Sequence, residues 1–330
     1  MTDTTRAFQY QEHGGPEVLQ FLETALGSLA PSDIQLRHTA IGVNFLDIYH
    51  RCGKDPSLKL PSGIGVEGVG IVEAIGAEIT TFAVGDRVAY VGGPPGAYAI
   101  KRNIPAARAV KVPDGIDDHT IAALIFKGMT AEYLIHRCFA VQSGEVAVVH
   151  AAAGGVGSIA SQWLRALGAI VIGVVGSEAK MEKAIENGCH HVLLSDDPEL
   201  ASKVRALSGG AHVVYDSVGA LTFEASLNSL RPRGTLVSFG ASSGPPPKID
   251  VGDLTQRGSL YLTRPSIAHY ASDRLEYQQG VERLFKAIAD GVIKTSKPTV
   301  MKLADAVRAH EQLEGRQTMG SIILVPDEAD

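Results

Sequence analysis

The chain has 330 residues, 45% of them hydrophobic and 20% charged, with a formal net charge of −6. That length is enough for about two domains, and the composition is typical of a globular protein. The acidic balance argues against nucleic-acid binding, and the apolar runs are shorter than the roughly 20 residues that a membrane span needs.

The N-terminal stretch and the cysteines favour a cytoplasmic protein. Residues 1–6 read MTDTTR, which lacks the basic and then apolar build of a secretory signal. The cysteines, Cys52, Cys138 and Cys189, are odd in number and widely separated, so they predict neither a disulfide framework nor a C-x-x-C metal pair. We therefore expect a reducing cytoplasmic location.

Up to about residue 117, the sequence predicts short strands broken by frequent Gly and Pro. Residues 35–41 alternate in the manner of a strand, 65–76 are rich in Gly and β-branched residues, and 85–90 are a turn leading into a strand. This pattern is typical of a compact, barrel-like β unit rather than of a βαβ series.

From residue 118 onward the pattern changes. Apolar residues at helical spacing predict a helix over 119–138, and strands and helices then alternate, as in a parallel sheet covered on both faces. The predicted strands are 146–151, 170–175, 191–194, 213–216 and 235–240. The predicted helices are 158–167, 179–187, 198–207 and 222–230.

The C-terminal part predicts a further strand over 258–263, a candidate for the sheet edge, and then three more elements. These are two amphipathic helices and a terminal strand, over 275–290, 305–313 and 320–326. We expect the elements after Arg264 to return to the N-terminal domain, which would then be discontinuous.

The small-residue turn after the strand 146–151 is the most informative motif. Gly154 lets the backbone approach a pyrophosphate, Gly157 lets the helix pack closely on the strand, and the N–H groups at the helix start face the phosphates. Ala152 occupies the first glycine position of G-x-G-x-x-G, so the fingerprint is incomplete, and a generic tight turn is the alternative. The strand–turn–helix context predicts dinucleotide binding by Ala153, Gly154, Gly155, Val156 and Gly157.

The end of the second predicted strand bears on the choice of cofactor. An NAD site usually places Asp or Glu there, to bond the ribose 2′-hydroxyl. Here Gly176 and Ser177 are uncharged, and Lys180 follows on the next helix, which suits the 2′-phosphate of NADPH. Glu178 is a complication, because it points to solvent or repels a phosphate, and the alternative for Lys180 is a solvated helix lysine.

Seven short segments occur in order and nearly from end to end: 13–19, 41–49, 60–67, 126–130, 150–157, 214–219 and 259–266. They read HGGPEVL, IGVNFLDIY, LPSGIGVE, FKGMT, HAAAGGVG, VYDSVG and SLYLTRPS, and together they resemble the zeta-crystallin-like quinone oxidoreductases of the medium-chain dehydrogenase/reductase superfamily. The resemblance implies an α/β protein with a Rossmann doubly wound parallel sheet plus a GroES-like β-rich catalytic domain. The GroES-like domain would span 1–125 and 268–330, and the Rossmann domain 126–267.

The same resemblance implies NADPH-dependent reduction of a quinone, without flavin, by a homodimer. It puts four side chains around the nicotinamide, namely Asn44, Tyr49, Thr130 and Arg264, and all but Thr130 would be catalytic. Tyr49 would donate a hydrogen bond or proton to the reduced oxygen, and Arg264 would stabilise developing negative charge. Further cofactor contacts are implied for Ser217, Phe239 and Gly240.

Several of these assignments have structural alternatives. Asn44 also suits a turn in which it bonds its own backbone, and Tyr49 suits a core edge with its hydroxyl in water. Asp47 and Glu67 suit either catalysis or a structural role in which they pair with Arg51 or another cation.

A metal is not expected. Zinc-dependent members of the superfamily carry Cys in a Gly-Val-Cys-His-x-Asp stretch and His in Gly-His-Glu, where this chain has Asn44 and Val66. Catalytic zinc typically needs about three protein ligands, so these two losses remove the site, and three cysteines cannot build a four-Cys structural lobe. Without a Lewis acid, alcohol–ketone chemistry is disfavoured.

Two other functions stay open. One is reduction of α,β-unsaturated carbonyls (enones), which needs the same cofactor geometry and a different acceptor pocket. The other is a non-catalytic NADPH-binding role, such as a redox-state sensor, a structural protein or an RNA binder. The lack of a basic stripe argues against RNA.

Overall fold

A computed structural model describes residues 3–315 and 320–327. Within it the chain forms two compact units, a first unit of residues 1–126 with 295–330 and a second unit of residues 127–294. Residues 268–294 thus belong to the second unit, whereas the sequence assigned them to the first domain; the functional domain limits stay a prediction. None of the described helices is long and apolar enough to cross a bilayer.

The described residues form sixteen strands. In chain order they are β1 (Thr4–Tyr10), β2 (Gln20–Ala25), β3 (Asp33–Gly42), β4 (Ser62–Gly63), β5 (Glu67–Ile75), β6 (Arg87–Val91), β7 (Lys101–Pro105), β8 (Ala109–Lys111), β9 (Val146–His150), β10 (Ile170–Val175), β11 (His191–Leu194), β12 (Ala211–Asp216), β13 (Leu230–Ser238), β14 (Tyr261–Thr263), β15 (Thr299–Lys302) and β16 (Ile322–Val325).

The same residues form ten α-helices. They are α1 (Phe45–Arg51), α2 (Asp118–Tyr133), α3 (Gly155–Ala166), α4 (Met181–Glu186), α5 (Leu200–Ser208), α6 (Phe223–Ser229), α7 (Val251–Gln256), α8 (Ile267–Tyr270), α9 (Arg274–Ala289) and α10 (Ala306–Glu314). A π-helical turn over Leu134–Cys138 continues α2. Four 3₁₀ helices lie at Pro16–Val18, Ala106–Arg108, Glu178–Lys180 and Leu303–Asp305.

The second unit contains a six-stranded, all-parallel sheet of order β11-β10-β9-β12-β13-β14. Numbered within the unit, this is the order 3-2-1-4-5-6 of the Rossmann fold. The central strand β9 is buried at all five positions, because helices cover both faces of a parallel sheet and leave no room for alternation. The predicted doubly wound sheet is confirmed, and β14 is its edge strand as expected.

The strand pairs of the first unit are antiparallel, apart from β15 and β16, which run parallel. One sheet has the order β15-β16-β3-β5-β6-β8, with β7 also paired to β3, and a second has the order β2-β1-β4. The terminal strand β16 pairs with β3, with Ile323 opposite Gly42, so the predicted return of the C-terminal strand is confirmed. Buried side chains from both sheets and from α10 form the core of this GroES-like unit.

The long helix α9 does not return to the first unit, contrary to the sequence expectation. It packs in the second unit, where Arg283 pairs with the buried Glu132 of α2 at 2.7 Å. Leu284 fits over Gly128, at which an added methyl would lie 2.5 Å from the leucine side chain. The amphipathic pattern predicted that one face of α9 is buried, but it carried no information about the partner.

Candidate functional site

Apart from Thr130 on α2, the predicted cofactor residues follow the carboxyl ends of four neighbouring strands of the six-stranded sheet, β9, β10, β12 and β13. The strand order reverses between β9 and β12. In open parallel sheets, ligands bind outside the carboxyl ends at such a switch point. The fold therefore gathers segments that are far apart in sequence at the one edge where a dinucleotide is expected.

The turn after β9 has the tight geometry that a phosphate site needs. Ala151 has a φ of 51°, and its carbonyl oxygen accepts the N–H of Gly154 at 2.7 Å. A methyl group added at Gly157 would lie 2.3 Å from that same oxygen, so only glycine lets α3 begin this close to the turn. Gly154 and Gly155 are exposed, and the first N–H groups of α3 have no intrahelical acceptors. This turn can therefore offer backbone donors to an anion.

The end of β10 is open and carries one cation. Gly176, Ser177 and Lys180 are exposed, and Lys180 forms no ion pair with any residue that the structure describes. Glu178 is exposed as well, so both charges of this segment are in contact with solvent. An anion approaching this edge would meet a single ammonium group that has no competing carboxylate partner.

A buried carboxylate at the end of β12 organises the turn that contains Ser217. Asp216 is fully buried and accepts the N–H groups of Val218 and Gly219 at 2.8 and 3.1 Å. It also accepts the hydroxyls of Thr222 and Ser226, each at 2.8 Å. These bonds satisfy the carboxylate and fix the loop from β12 into α6.

Sequence reasoning named Ser217 but missed Asp216, although the signal was present. An Asp at a strand end, followed by the turn sequence Ser-Val-Gly, is a residue type and spacing that bonds the backbone two and three residues on. His150 is buried as well, and its Nε2 lies 2.9 Å from the Ser226 hydroxyl. Burial lowers the pKa of His150.

Arg264, predicted to be catalytic, is hydrogen-bonded to the backbone at and just after the end of β13. Its Nη1 donates to the carbonyl oxygens of Ser238 and Gly240, both at 3.2 Å, and to the Ser238 hydroxyl at 3.0 Å. Arg264 itself is exposed. The guanidinium therefore shapes the segment that includes Phe239, while Nε and Nη2 have no hydrogen-bond partner among the described residues.

Asn44 begins α1 in the first unit and is buried. Its Nδ2 donates to Glu67 Oε1 at 2.5 Å, and its backbone N–H donates to Asp47 Oδ2 at 2.8 Å. The other Glu67 oxygen accepts the N–H of Phe126 at 2.7 Å. Both Glu67 oxygens therefore accept hydrogen bonds from the protein itself. Arg51, the cation expected to pair with Asp47 or Glu67, pairs with Glu314 instead.

The remaining predicted residues divide between the two units. Tyr49 lies half-buried on α1 in the first unit, together with Asn44. Thr130 is buried on α2 in the second unit, which also contains Arg264 and all the predicted cofactor residues.

A buried polar chain links α1 to α10 in the first unit. Arg51 pairs with Glu314 at 2.7 Å, and its Nη1 lies 3.1 Å from His310 Nδ1. Because Arg can only donate, Nδ1 is the acceptor and Nε2–H donates to Tyr98, 3.2 Å away. Tyr98 in turn donates to Asp47 at 3.0 Å. The imidazole must be neutral in this chain.

Burial and the neighbouring Arg51 charge lower the pKa of His310 to about 3, and burial with the Arg102 charge does the same for His38. Both folded-state pKa values lie below the unfolded value near 6.5, so their contribution to stability is present above that pH and is lost as pH falls toward 3. Each buried imidazole should then cost about 1.4 kcal/mol of unfolding free energy per pH unit over that window.

The unfolding free energy of the wild type should fall as pH drops below 6.5. We expect His310→Gln to reduce the slope of that fall by about 1.4 kcal/mol per pH unit, because one fewer proton is taken up on unfolding. Urea unfolding between pH 7 and pH 4 measures this slope. The matched control is the exposed His269→Gln, which should leave the slope unchanged. Identical slopes in wild type and His310→Gln would contradict the buried neutral state.

The residues do not fit a catalytic zinc ion. Asn44 and Val66 stand where the zinc-dependent members have Cys and His, and no group of three or more His, Cys, Asp or Glu within residues 3–315 and 320–327 could hold a metal. The amide of Asn44 is instead hydrogen-bonded to Glu67. That the protein binds no metal remains a prediction from the missing ligands.

Comparison with known proteins identifies the class that this fold defines. Residues 30–138 match the family described as alcohol dehydrogenase GroES-like domain, and residues 155–304 match that described as zinc-binding dehydrogenase. The chain is 43% identical to a quinone oxidoreductase of Pseudomonas aeruginosa, over 97% of this chain and 99% of that protein. It is 44% identical to a 2-haloacrylate reductase of a Burkholderia species, over 95% and 96%.

The structural comparison agrees. The crystal structure of Escherichia coli quinone oxidoreductase complexed with NADPH superimposes with a TM-score of 0.93 and 42% sequence identity, covering 98% of this chain and 100% of that one. The chain therefore belongs to the quinone oxidoreductase family of the medium-chain dehydrogenases/reductases, as the sequence resemblance predicted.

Proposed function

We propose that the protein is an NADPH-dependent quinone reductase that transfers hydride from NADPH to a quinone without a metal or a flavin. The observation that carries the proposal is the open carboxyl edge of the 3-2-1-4-5-6 sheet, with its glycine turn and unpaired lysine. It is supported by the Escherichia coli relative, which is 42% identical and was crystallised with NADPH.

In this proposal the second unit holds the cofactor. The turn over 153–157 donates backbone N–H groups to the pyrophosphate, and the segments after β10, β12 and β13 contact the rest of the dinucleotide. NADPH, when bound, supplies the hydride. Tyr49 donates a hydrogen bond or proton to the reduced oxygen, and Arg264 stabilises developing negative charge. Asn44 and Thr130 orient the nicotinamide.

The choice of NADPH over NADH depends on Lys180. We expect Lys180→Ala to raise the KM for NADPH about five- to tenfold, since one charge-assisted contact to the 2′-phosphate is lost, and to leave the KM for NADH unchanged. Initial rates with each cofactor measure this. The matched control is Lys183→Ala, because Lys183 is paired with Glu186 at 2.9 Å. Equal effects of Lys180→Ala on both cofactors would rule out the 2′-phosphate role.

The function is tested by anaerobic NADPH oxidation with the purified protein. A panel of quinones is compared with a panel of α,β-unsaturated aldehydes, ketones and acids. Turnover confined to quinones supports the proposal. Turnover confined to the alkenes assigns the protein to the second candidate, enone reduction, which the 2-haloacrylate reductase at 44% identity favours. Tight NADPH binding without turnover of either panel would favour the non-catalytic role.

We also propose a cytoplasmic homodimer. β14 is the edge strand of the parallel sheet, so among the described residues only β13 pairs with it and its other side is open. Tyr261 on β14 is 61% exposed. Val251 on α7 is 79% exposed. All three cysteines are free, which suits a reducing compartment. Light scattering of the purified protein tests the dimer, and a monomeric mass at micromolar concentration would exclude it.

A further inference from the structure

The end of α1 fixes a lysine over the proposed acceptor-side tyrosine. Gly53, with a φ of 69°, donates its N–H to His50 O at 3.1 Å, and Lys54 donates its N–H to Tyr49 O at 2.9 Å. This pair of bonds is the Schellman motif, in which the chain reverses over the last helical turn. The Lys54 ammonium consequently lies 5.1 Å from the centre of the Tyr49 ring.

The turn fixes where the backbone of Lys54 lies, and the ammonium group is at the end of an exposed side chain. Gly53 adopts a left-handed conformation, and a methyl group added there would also meet the His13 ring at 2.8 Å. A side chain at position 53 is therefore disfavoured both by the left-handed backbone and by the contact with the His13 ring. The cation–π contact with Tyr49 then orients the ammonium group, a contact of modest strength at an exposed site.

No carboxylate neutralises this ammonium group. Among the residues that the structure describes, Lys54 has no ion-pair partner, and its side chain is exposed. The adjacent Asp55 faces elsewhere: its Oδ1 accepts the N–H and hydroxyl of Ser57 at 2.9 and 2.6 Å, and its Oδ2 lies 3.8 Å from His50 Nε2. The hydrogen bonds from Ser57 lower the pKa of Asp55, so this carboxylate stays ionised and bound to Ser57.

We infer that Lys54 forms an anion subsite beside Tyr49, which recognises electron acceptors that carry a carboxylate or sulfonate group next to the reducible bond. The inference rests on the proposed function, because it takes Tyr49 to lie on the acceptor side of the reaction. It names the substrate class further: negatively charged quinones or unsaturated acids over their neutral counterparts.

The test compares two acceptors that differ by one charge, 1,2-naphthoquinone-6-sulfonate, whose sulfonate is not displaced by amines, and 1,2-naphthoquinone. We expect Lys54→Met, which keeps the length of the side chain, to lower kcat/KM for the sulfonate about five- to tenfold and to leave the neutral quinone unchanged. Lys54→Glu should lower it further. The matched control is Lys59→Met, an exposed lysine of the same loop. The difference should fade at about 1 M salt, where charges are screened within a few ångströms.

Several results would overturn the subsite. Equal effects of Lys54→Met on both acceptors, no effect on either, or a raised KM for NADPH would each do so, the last because it assigns the lysine to the cofactor. If wild type reduces neither quinone, the proposed function fails separately. Calorimetric binding of 1,2-naphthoquinone-6-sulfonate then still decides, since Lys54→Met should weaken it about five- to tenfold relative to Lys59→Met.

Discussion

Gly157→Ala should abolish tight NADPH binding and destabilise the protein by roughly 1–3 kcal/mol, the usual cost of overpacking a close contact. The added methyl would lie 2.3 Å from the carbonyl oxygen of Ala151 and 3.0 Å from the Cα of Ala152. These are backbone atoms of the turn itself, so α3 must shift away from β9 and its first N–H groups lose their alignment. We expect at least a tenfold weaker NADPH affinity, measured by fluorescence titration, and a lower melting temperature.

The neighbouring glycine supplies the control. A methyl added at Gly155 would meet only the flexible side chain of Lys127, with its Cδ 2.8 Å away, and that side chain can move. Gly155→Ala should therefore melt close to wild type, although both substitutions add the same methyl group within one helical turn. A Gly157→Ala protein with wild-type melting temperature and NADPH affinity would refute the close-packing account of this turn.

The second large effect is expected at Asp216. Replacing it with Ala leaves the N–H groups of Val218 and Gly219, and the hydroxyls of Thr222 and Ser226, without their shared acceptor. Buried donors without acceptors cost about 1–3 kcal/mol each, and some will find water, so we expect a loss of roughly 3–5 kcal/mol in unfolding free energy. Chemical denaturation measures it.

Asp216→Asn should be milder, because the amide keeps one acceptor oxygen and the hydroxyls can rotate to accept from its NH₂ group. Asp196, which is exposed and forms no side-chain hydrogen bond with a described residue, provides the control in Asp196→Asn. We also expect Asp216→Ala to weaken NADPH binding, since the loop that contains Ser217 loses its anchor. If Asp216→Ala lowers the unfolding free energy by less than about 1 kcal/mol, the carboxylate does not hold the loop between β12 and α6 in place.

The parallel sheet was largely predictable, although β13 begins five residues before and β14 three residues after the predicted start. Ile170–Val175 and His191–Leu194 begin and end where the sequence put them, because a continuous apolar run ends at small or polar residues. The N-terminal hairpin of β1 and β2 was not foreseen. None of the six residues of Gln20–Ala25 is buried, so the strand has no alternating pattern, and no Asn-Gly or Asp-Gly turn links the strands.

The candidate site was predictable only in part. Glycine spacing found the turn before α3, but the roles of Glu67 and Asp216 depend on which groups the fold brings to them. Asp216 serves donors up to ten residues away, and Glu67 holds Asn44 across 23 residues of sequence. Such partners are brought together by the tertiary structure, and they produce no periodic pattern in the sequence. The partner of α9 was unpredictable for the same reason, since an apolar face does not specify what covers it.

The terminal strand β16 lies inside the antiparallel sheet of the first unit, between β15 and β3. During synthesis on the ribosome, residues 127–294 emerge as one continuous stretch and can complete their own sheet early. The first unit cannot: β3 waits for a neighbour made about 280 residues later, with Gly42 paired to Ile323. Until then only the end of β3 at Ile41 and Gly42 lacks this neighbour, because the start of the strand is already paired with β7, and that end is open to other chains.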